Sequence, residues 1–192
     1  MLHSQSLHSQ IHSESLKTLN MNANDRDLIE KALQASGNAY APYSGFAVGA
    51  AVRSRRGEVY LGSNLENAVY GLGICAEVVA LAKANTAGDF DVEAIAIVGH
   101  KFTTPRDSSQ VTTPCGRCRQ LIAEASQISN TDVVVFSCSG DLEEIHESTI
   151  SELLPESFGP KTLGVHIIWP EVSNQLREAV NDLTSLAITS ND

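Results

Sequence analysis

The feature of this chain that most constrains its fold is an alternation of short apolar runs with amphipathic or small-residue segments. The runs predict strands because each is short, rich in apolar residues and bounded by turn residues. The predicted strands are residues 46–53, 59–62, 92–98, 133–137 and 165–169. Strands that alternate with helices in this way predict an α/β fold, with parallel pairing where a helix connects two strands.

Segments in which apolar residues recur at helical spacing flank these runs. A first amphipathic helix starts behind a capping Asn24 or Asp25, includes positions as far as Ala39, and stops before Pro42. Further helices are predicted at 75–85, at 116–126 and across the apolar positions of 172–186. We therefore expect one domain, in which helices sandwich a mixed sheet of about five strands.

The composition of the chain changes near each end. Residues 1–24 are rich in Ser, His, Gln and Asn, so we expect a disordered tail, and His3, His8 and His12 to be solvated. Residues 25–164 form the predicted domain. Residues 165–192 are expected to be a C-terminal extension, with one strand and one amphipathic helix that packs on the body or on another subunit.

Charge and hydropathy exclude several classes of partner. The 192 residues carry a formal net charge of -10, which disfavours binding to nucleic acid or to anionic membranes. No apolar run is long enough to cross a bilayer, and the N-terminus lacks the layout of a secretory signal. We expect a cytoplasmic protein whose partner is a small molecule, with its four cysteines present as thiols or metal ligands.

A metal site is predicted by three of these cysteines. Cys115 and Cys118 are three residues apart at the start of a predicted helix, a spacing that lets both thiolates reach one tetrahedral ion. Cys75 stands forty positions upstream at the head of another helix, where the helix dipole favours a thiolate. Three protein ligands leave a tetrahedral zinc with one open position, as in catalytic zinc sites.

Glu77 and Cys138 distinguish a catalytic from a structural zinc site. Glu77 follows Cys75 by two residues and can move protons beside the open position without being a ligand. A purely structural site would need a fourth ligand, for which Cys138 is the candidate. However, Cys138 follows a predicted buried strand and has no partner cysteine nearby, which favours a buried free thiol.

The motifs around these residues resemble a known family. CAE at residues 75–77 and PCGRC at residues 114–118 are similar to the signature of zinc deaminases that act on cytosine-like bases. SGFAVGAAV at 44–52, NLENAVYG at 64–71 and ELLPESFGP at 152–160 resemble segments of the small, homotetrameric cytidine deaminases. The resemblance covers roughly residues 25–164, and it implies zinc-dependent deamination of cytidine and 2'-deoxycytidine in pyrimidine salvage, with water as co-substrate.

The resemblance also implies roles for individual residues. A zinc-activated water attacks C4 of the base, and Glu77 protonates N3 and then the leaving ammonia. The implied substrate contacts come from Asn64 and Glu66 to the ribose, the Ala76 backbone to the base edge, and Phe46 to the pyrimidine. Phe158 is expected to reach the site of a neighbouring subunit in a homotetramer.

One position departs from many relatives that have three zinc cysteines. Those relatives carry an Arg directly after the catalytic Glu, which offsets thiolate charge, and Val78 stands at that position here. Arg117 and Arg119 are the nearby candidates for this compensation, and we expect Arg117 to supply it. The stretches that contain Val78 and Arg117 resemble those of blasticidin-S deaminases, so deamination of another cytosine nucleoside remains an alternative. A non-enzymatic module stabilised by structural zinc is a more remote one.

Overall fold

The structure, a computed structural model, describes residues 21–105 and 109–189. Its centre is a five-stranded mixed sheet in the order β2-β1-β3-β4-β5, in which β3 and β4 are parallel and all other neighbours are antiparallel. The strands are β1 (Phe46–Ser54), β2 (Val59–Ser63), β3 (Val92–Lys101), β4 (Val134–Cys138) and β5 (Ile145–Thr149). The α/β class and the five-stranded mixed sheet are as predicted.

Helices cover both faces of the sheet. The α-helices are α1 (Ala23–Ser36), α2 (Ala76–Thr86), α3 (Gly116–Ser129), α4 (Ile150–Leu153) and α5 (Trp169–Thr189), and two 3-10 helices span Tyr70–Leu72 and Pro160–Leu163. The buried residues of α1 form one core with one face of the sheet, and those of α2 and α3 form a second core with the other face. This explains why β3 is apolar and buried at every position from Ala94 to Val98, since both of its faces are covered.

Two glycines set the distance between the sheet and its helices. A Cβ on Gly49 of β1 would lie 2.0 Å from the Ala32 carbonyl oxygen of α1. A Cβ on Gly62 of β2 would lie 2.2 Å from the Ala76 carbonyl oxygen of α2. Only a residue without a side chain allows contact this close, so Gly62 fixes the position of the N-terminal end of α2.

The fifth strand is not the one that the sequence predicts. Ile145–Thr149 pairs with β4 at the edge of the sheet, whereas residues 165–168 form no strand. The Val165 N–H donates instead to the Pro160 carbonyl, and α5 begins at Trp169. An edge strand buries little, and in β5 only Ile145 is fully buried, so its sequence lacks the apolar run by which the other strands are recognised.

Helix α1 begins and ends earlier than predicted. Asn22 is its N-cap, and the Asn22 side chain accepts a hydrogen bond from the Asp25 N–H at 2.9 Å, a role that the sequence assigned to Asn24 or Asp25. The helix ends at Ser36, so Ala39 lies in the turn that follows.

The predicted tail lies mostly outside the described residues, and so do its three histidines. Within the described ranges, no helix is both long and apolar enough to cross a membrane.

Candidate metal centre and substrate cavity

Three cysteines meet where two helices begin. Cys75 is the N-cap residue of α2, Cys115 is the N-cap residue of α3, and Cys118 lies buried in the first turn of α3. The sulfur atoms of all three lie within 4.8 Å of one another. The Sγ atoms of Cys115 and Cys118 are 3.5 Å apart, close to the spacing of about 3.8 Å that Zn–S bonds of about 2.3 Å impose in a tetrahedron. The three thiols therefore form a cluster that can hold zinc.

The electrostatics of this cluster favour a thiolate. A hydrogen bond from the Cys118 thiol, opposed by burial and by the charge of Glu77, lowers the pKa of Cys75 to about 6. Donation of that hydrogen bond raises the pKa of Cys118 itself, because its proton is held between the two sulfurs. The N-terminal ends of α2 and α3 add positive potential at the same place. A bound divalent cation favours the thiolate form of its ligands further.

Cys138 lies on the other side of the sheet. Its side chain is fully buried in the core that contains Leu28 and Ile29 of α1, whereas the three clustered thiols belong to the helices of the opposite face. Burial raises the pKa of Cys138 to about 12. Among the described residues the metal-binding group consists of Cys75, Cys115 and Cys118 alone. A closed four-cysteine site is therefore not formed.

Glu77 lies beside the thiols and is almost inaccessible to solvent. It is the second residue of α2 and only 4% exposed. Burial raises the pKa of its carboxyl group, and hydrogen bonds from its own backbone N–H and from the Cys118 thiol oppose this effect. Its carboxylate is thus held at the cluster without belonging to the ligand set.

A cavity of about 620 Å³ opens above the cluster. This volume lies within the range of small-molecule sites, and it is large enough for a nucleoside. Cys75, Ala76, Glu77 and Cys115 line it together with residues of three other segments: Tyr43, Ser44, Val48, Asn64, Leu65, Glu66, Asn67, Tyr70, Gly73, Ile74, Thr112 and Thr113. Two thiols of the cluster, the carboxylate and the predicted ribose contacts thus share one cavity, and Cys118 lies buried behind them.

Asn64 and Glu66 hold the cavity wall by hydrogen bonds. The Asn64 side chain accepts from the Val48 N–H at 2.9 Å and donates to the Phe46 carbonyl at 3.0 Å, which fastens it to β1. Oε2 of Glu66 accepts from the N–H groups of Tyr43 and Ser44 at 2.9 and 3.2 Å. Hydrogen bonds from the Ser44 side chain and from these two N–H groups lower the pKa of the exposed Glu66 carboxyl.

The two predicted aromatic contacts do not line the cavity of their own chain. The Phe46 ring lies over Gly99, as the Thr112 side chain does, and Val48, two residues further along the same face of β1, lines the cavity instead. Phe158 is 58% exposed, and its carbonyl accepts a hydrogen bond from the Gln120 side chain. The period of two along a strand is the signal that could have identified Val48. The lining residue Tyr43 carried no signal in the sequence pattern, and Tyr70 lies in the motif segment 64–71 but was given no role there.

The two arginines near the thiols have different surroundings. Arg119 donates to the carbonyls of Pro114 and Leu153, at 2.8 and 3.2 Å, which connects the start of α3 to the end of α4. Arg117 is exposed, and its positive charge lowers the pKa of Cys75. In the part of the chain that the structure describes, Arg117 makes no hydrogen bond or ion pair of its own. Of the two, only Arg117 is available to the cluster.

Known proteins resemble this chain in sequence and in fold. The sequence model of the cytidine and deoxycytidylate deaminase zinc-binding region matches residues 22–137. A cytidine deaminase of Halalkalibacterium halodurans is 47% identical over 131 residues, which cover 68% of this chain and 91% of that relative. A blasticidin-S deaminase of Bacillus cereus is 32% identical over 144 residues, which cover 74% of this chain and 98% of that relative.

The fold comparison agrees with the sequence comparison. The crystal structure of cytidine deaminase from Burkholderia pseudomallei matches with a TM-score of 0.62 and 37% identity, over 72% of this chain and all of that one. The family match includes the three clustered cysteines and Glu77. From the sequence match, the shared fold and the cluster of thiols, we conclude that the chain belongs to the cytidine and deoxycytidylate deaminase family.

Proposed function

We propose that this protein hydrolyses the exocyclic amine of cytidine and 2'-deoxycytidine, releasing ammonia and forming uridine or 2'-deoxyuridine for pyrimidine salvage. The observation that carries this proposal is a cluster of three thiols beside a buried carboxylate, of which Cys75, Cys115 and Glu77 line a nucleoside-sized cavity. The relatives named as cytidine deaminases support the same reaction. In this reaction a C4–O bond forms, the C4–N bond breaks, and one water molecule is consumed.

Glu77 is the proton carrier in this proposal. Cys75, Cys115 and Cys118 would hold the zinc ion, which would supply a Lewis acid that lowers the pKa of a water molecule at the open position. Glu77 accepts one proton from the attacking water and passes it to N3 of the base, then takes the second proton of that water from the new hydroxyl group on C4 and delivers it to the departing amine. Its burial beside the thiols keeps it within reach of C4 and N3, and the exposed remainder of the cavity admits the sugar. The Ala76 backbone contacts the edge of the base.

The ribose is held by Asn64 and Glu66 in this proposal. Both side chains line the cavity, and both are oriented by hydrogen bonds to backbone groups of neighbouring segments. Each amide or carboxylate oxygen has two lone pairs, so these bonds leave capacity for a sugar hydroxyl. Phe46 supports the pyrimidine side of the site from behind, since it lies over Gly99 next to the lining residue Thr112, and Val48 forms that wall directly.

We assign a homotetramer to the active form, with Phe158 completing the site of a neighbour. Support comes from the exposed ring of Phe158 and from its position outside the cavity of its own chain. Exposed apolar or aromatic side chains at the cavity are those of Tyr43, Leu65 and Tyr70, and their chain neighbours Tyr40, Val69 and Leu72 are exposed as well. An apolar rim of this kind is typical of a surface that another subunit covers.

Arg117 offsets the charge of the zinc centre in this proposal. Three thiolates around a divalent cation leave a net charge of about -1, and Val78 offers no positive charge in the position after Glu77. Arg119 is engaged with two carbonyls, whereas Arg117 already acts on Cys75. Replacing Arg117 by Ala should weaken zinc binding by about 10-fold in competition with a chelator. Arg56→Ala makes an equal change of charge in the β1–β2 turn and should leave zinc binding unchanged. Unchanged zinc affinity in Arg117→Ala would contradict the assignment.

A second candidate substrate is a modified cytosine nucleoside such as blasticidin S. Val78, Arg117 and the similarity to a blasticidin-S deaminase favour it, and the paired Asn64 and Glu66 favour cytidine. The test is to follow the ultraviolet change of purified protein with cytidine, 2'-deoxycytidine, cytosine and blasticidin S in parallel. We expect turnover of the first two with the highest kcat/KM. Turnover of blasticidin S alone would replace the first proposal by the second, and no turnover of any would reject both.

A further inference from the structure

Helix α5 lies outside the region that matches the family, and only one side of it is fastened to the body. Trp169 packs edge-on against Phe90 with ring centroids 5.8 Å apart, Ser173 is buried, and Arg177 donates to the Gly88 carbonyl at 3.0 Å. These three contacts recur every four residues, so they form a single line along the helix. The body holds α5 along that line.

A different line of α5 is apolar, and its side chains are exposed at Leu176, Ala179 and Leu183. We call this line the seam: it has Leu176 and Leu183 seven residues apart, and Val172, Ala179 and Leu186 seven residues apart, and Trp169 continues the repeat in the sequence but packs on the body. Leu176 is 58% exposed and Leu183 is 67% exposed. Val180 borders the seam and is exposed as well. The body does not cover Leu176 and Leu183, and a cleft of about 370 Å³ separates Leu176 and Val180 from Asn85, Thr86 and Gly88.

The period of the seam indicates what covers it. Apolar residues at the first and fourth positions of three consecutive heptads recur every 3.5 residues, which is the pattern of a two-stranded coiled coil. A helix that packs on such a seam must carry the same repeat. Among the described helices, α5 is the one with this repeat, so the matching helix is the α5 of another copy.

The charges that flank the seam are compatible with self-pairing. The flanking positions hold Ser173, Gln175, Val180 and Asp182, so two seams meet without a repeated row of like charges. The remaining surface carries Glu171 and Glu178 against Arg177. A helix that lies on anionic lipid needs an excess of basic residues on its polar face, and α5 has an acidic one.

From these observations we propose that α5 is a dimerisation helix, whose seam pairs with the seam of α5 in a second copy of the chain. The pairing adds a contact between subunits outside the deaminase fold, and it depends on neither the zinc thiols nor Glu77. Three heptads form a short coiled coil, so the pairing is strongest where other contacts already bring the subunits together.

Disulfide trapping tests the proposal on the full chain. Leu176→Cys combined with Leu183→Cys places two thiols on the seam, about 10 Å apart along one helix, which is too far for a bond within one chain. Mild oxidation should therefore give a covalent dimer on a non-reducing gel, whether the two helices run parallel or antiparallel. Val172→Cys with Ala179→Cys is a second seam pair, should the first fail to fold.

The matched control is Asn174→Cys with Asn181→Cys, which has the same seven-residue spacing on the opposite, exposed face of α5. We expect at most a trace of dimer from this pair and from the wild type. Equal yields from the seam and control pairs, or monomer from both seam pairs, would overturn the proposal. Flotation of the wild type with vesicles of phosphatidylcholine and phosphatidylglycerol, without dimer from the seam pairs, would instead assign the seam to a lipid surface.

Discussion

At the scale of single residues, Glu77 separates an enzyme from a protein that merely binds zinc. Glu77→Gln keeps the size of the side chain but removes its ability to carry a proton. We expect turnover of cytidine to fall by about 10²- to 10⁴-fold or more, while the zinc content stays at the wild-type level. Steady-state kinetics and metal analysis of the same preparation measure both.

The control for this change is Glu58→Gln in the exposed β1–β2 turn, which should leave both quantities unchanged. Zinc lost together with activity in Glu77→Gln would mean that Glu77 supports the metal centre rather than the proton transfer. Retained turnover would remove Glu77 from the mechanism.

Cys138 gives a second prediction about single residues. Because burial raises the pKa of its thiol to about 12, Cys138 stays protonated at neutral pH and should resist alkylation until the chain unfolds. Cys138→Ala should keep one zinc per chain, whereas Cys118→Ala, another buried cysteine replaced in the same way, should lose it. Metal analysis and mass spectrometry after iodoacetamide treatment test this. Loss of zinc in Cys138→Ala would mean that Cys138 is a fourth ligand of a four-cysteine site.

At the scale of secondary-structure elements, the contact of β2 with α2 links the sheet to the metal centre. Gly62→Ala would place a methyl group 2.2 Å from the Ala76 carbonyl and 2.5 Å from the Ala80 nitrogen. Because backbone must move to accept it, we expect a loss of about 1–3 kcal/mol in the free energy of unfolding. Zinc binding should weaken too, since a shift of α2 displaces Cys75 and Glu77.

Denaturant unfolding and zinc titration measure these two effects of Gly62→Ala. The control is Gly71→Ala, where an added Cβ meets nothing within 4 Å and the backbone has no positive φ. If the Gly62→Ala variant were as stable as Gly71→Ala, the contact between β2 and α2 would adjust to a methyl group at little cost in free energy.

At the scale of the whole molecule, Phe158 predicts complementation between chains. Phe158→Ala should lower kcat/KM by roughly 10- to 100-fold, as expected for loss of one base–aromatic contact. When Phe158→Ala and Glu77→Gln chains are co-expressed, sites with intact Glu77 from one chain and intact Phe158 from the other should restore activity. Leu163→Ala, a change at a nearby exposed apolar residue, serves as the control.

Two results would contradict the contribution of Phe158 to a neighbouring site. The first is a mixed assembly no more active than the average of its parents. The second is full activity in a wild-type species that light scattering shows to be monomeric. Either result would mean that each chain forms a complete active site and that Phe158 is an ordinary surface residue.

Much of the fold was predictable because it depends on local patterns. Continuous apolar runs identify β1, β3 and β4, whose side chains are buried by helices, and helical spacing identifies α1 and α5. The same rule fails for β5, which is recognised by its hydrogen bonds to β4 rather than by its residues. It also misassigns residues 165–168, whose apolar side chains precede α5 without pairing.

The sequence by itself determined the chemical groups of this protein: three thiols at the starts of two helices, and a carboxylate two residues after the first of them. Spacing along one chain is enough for this, because a helix N-terminus fixes the directions of the residues next to it. Only the tertiary structure decided which thiols meet, because that depends on the sheet that brings α2 and α3 together and separates Cys138 from them. It also decided that Arg119 is engaged with carbonyls and that the seam of α5 stays uncovered, since both result from contacts between distant segments.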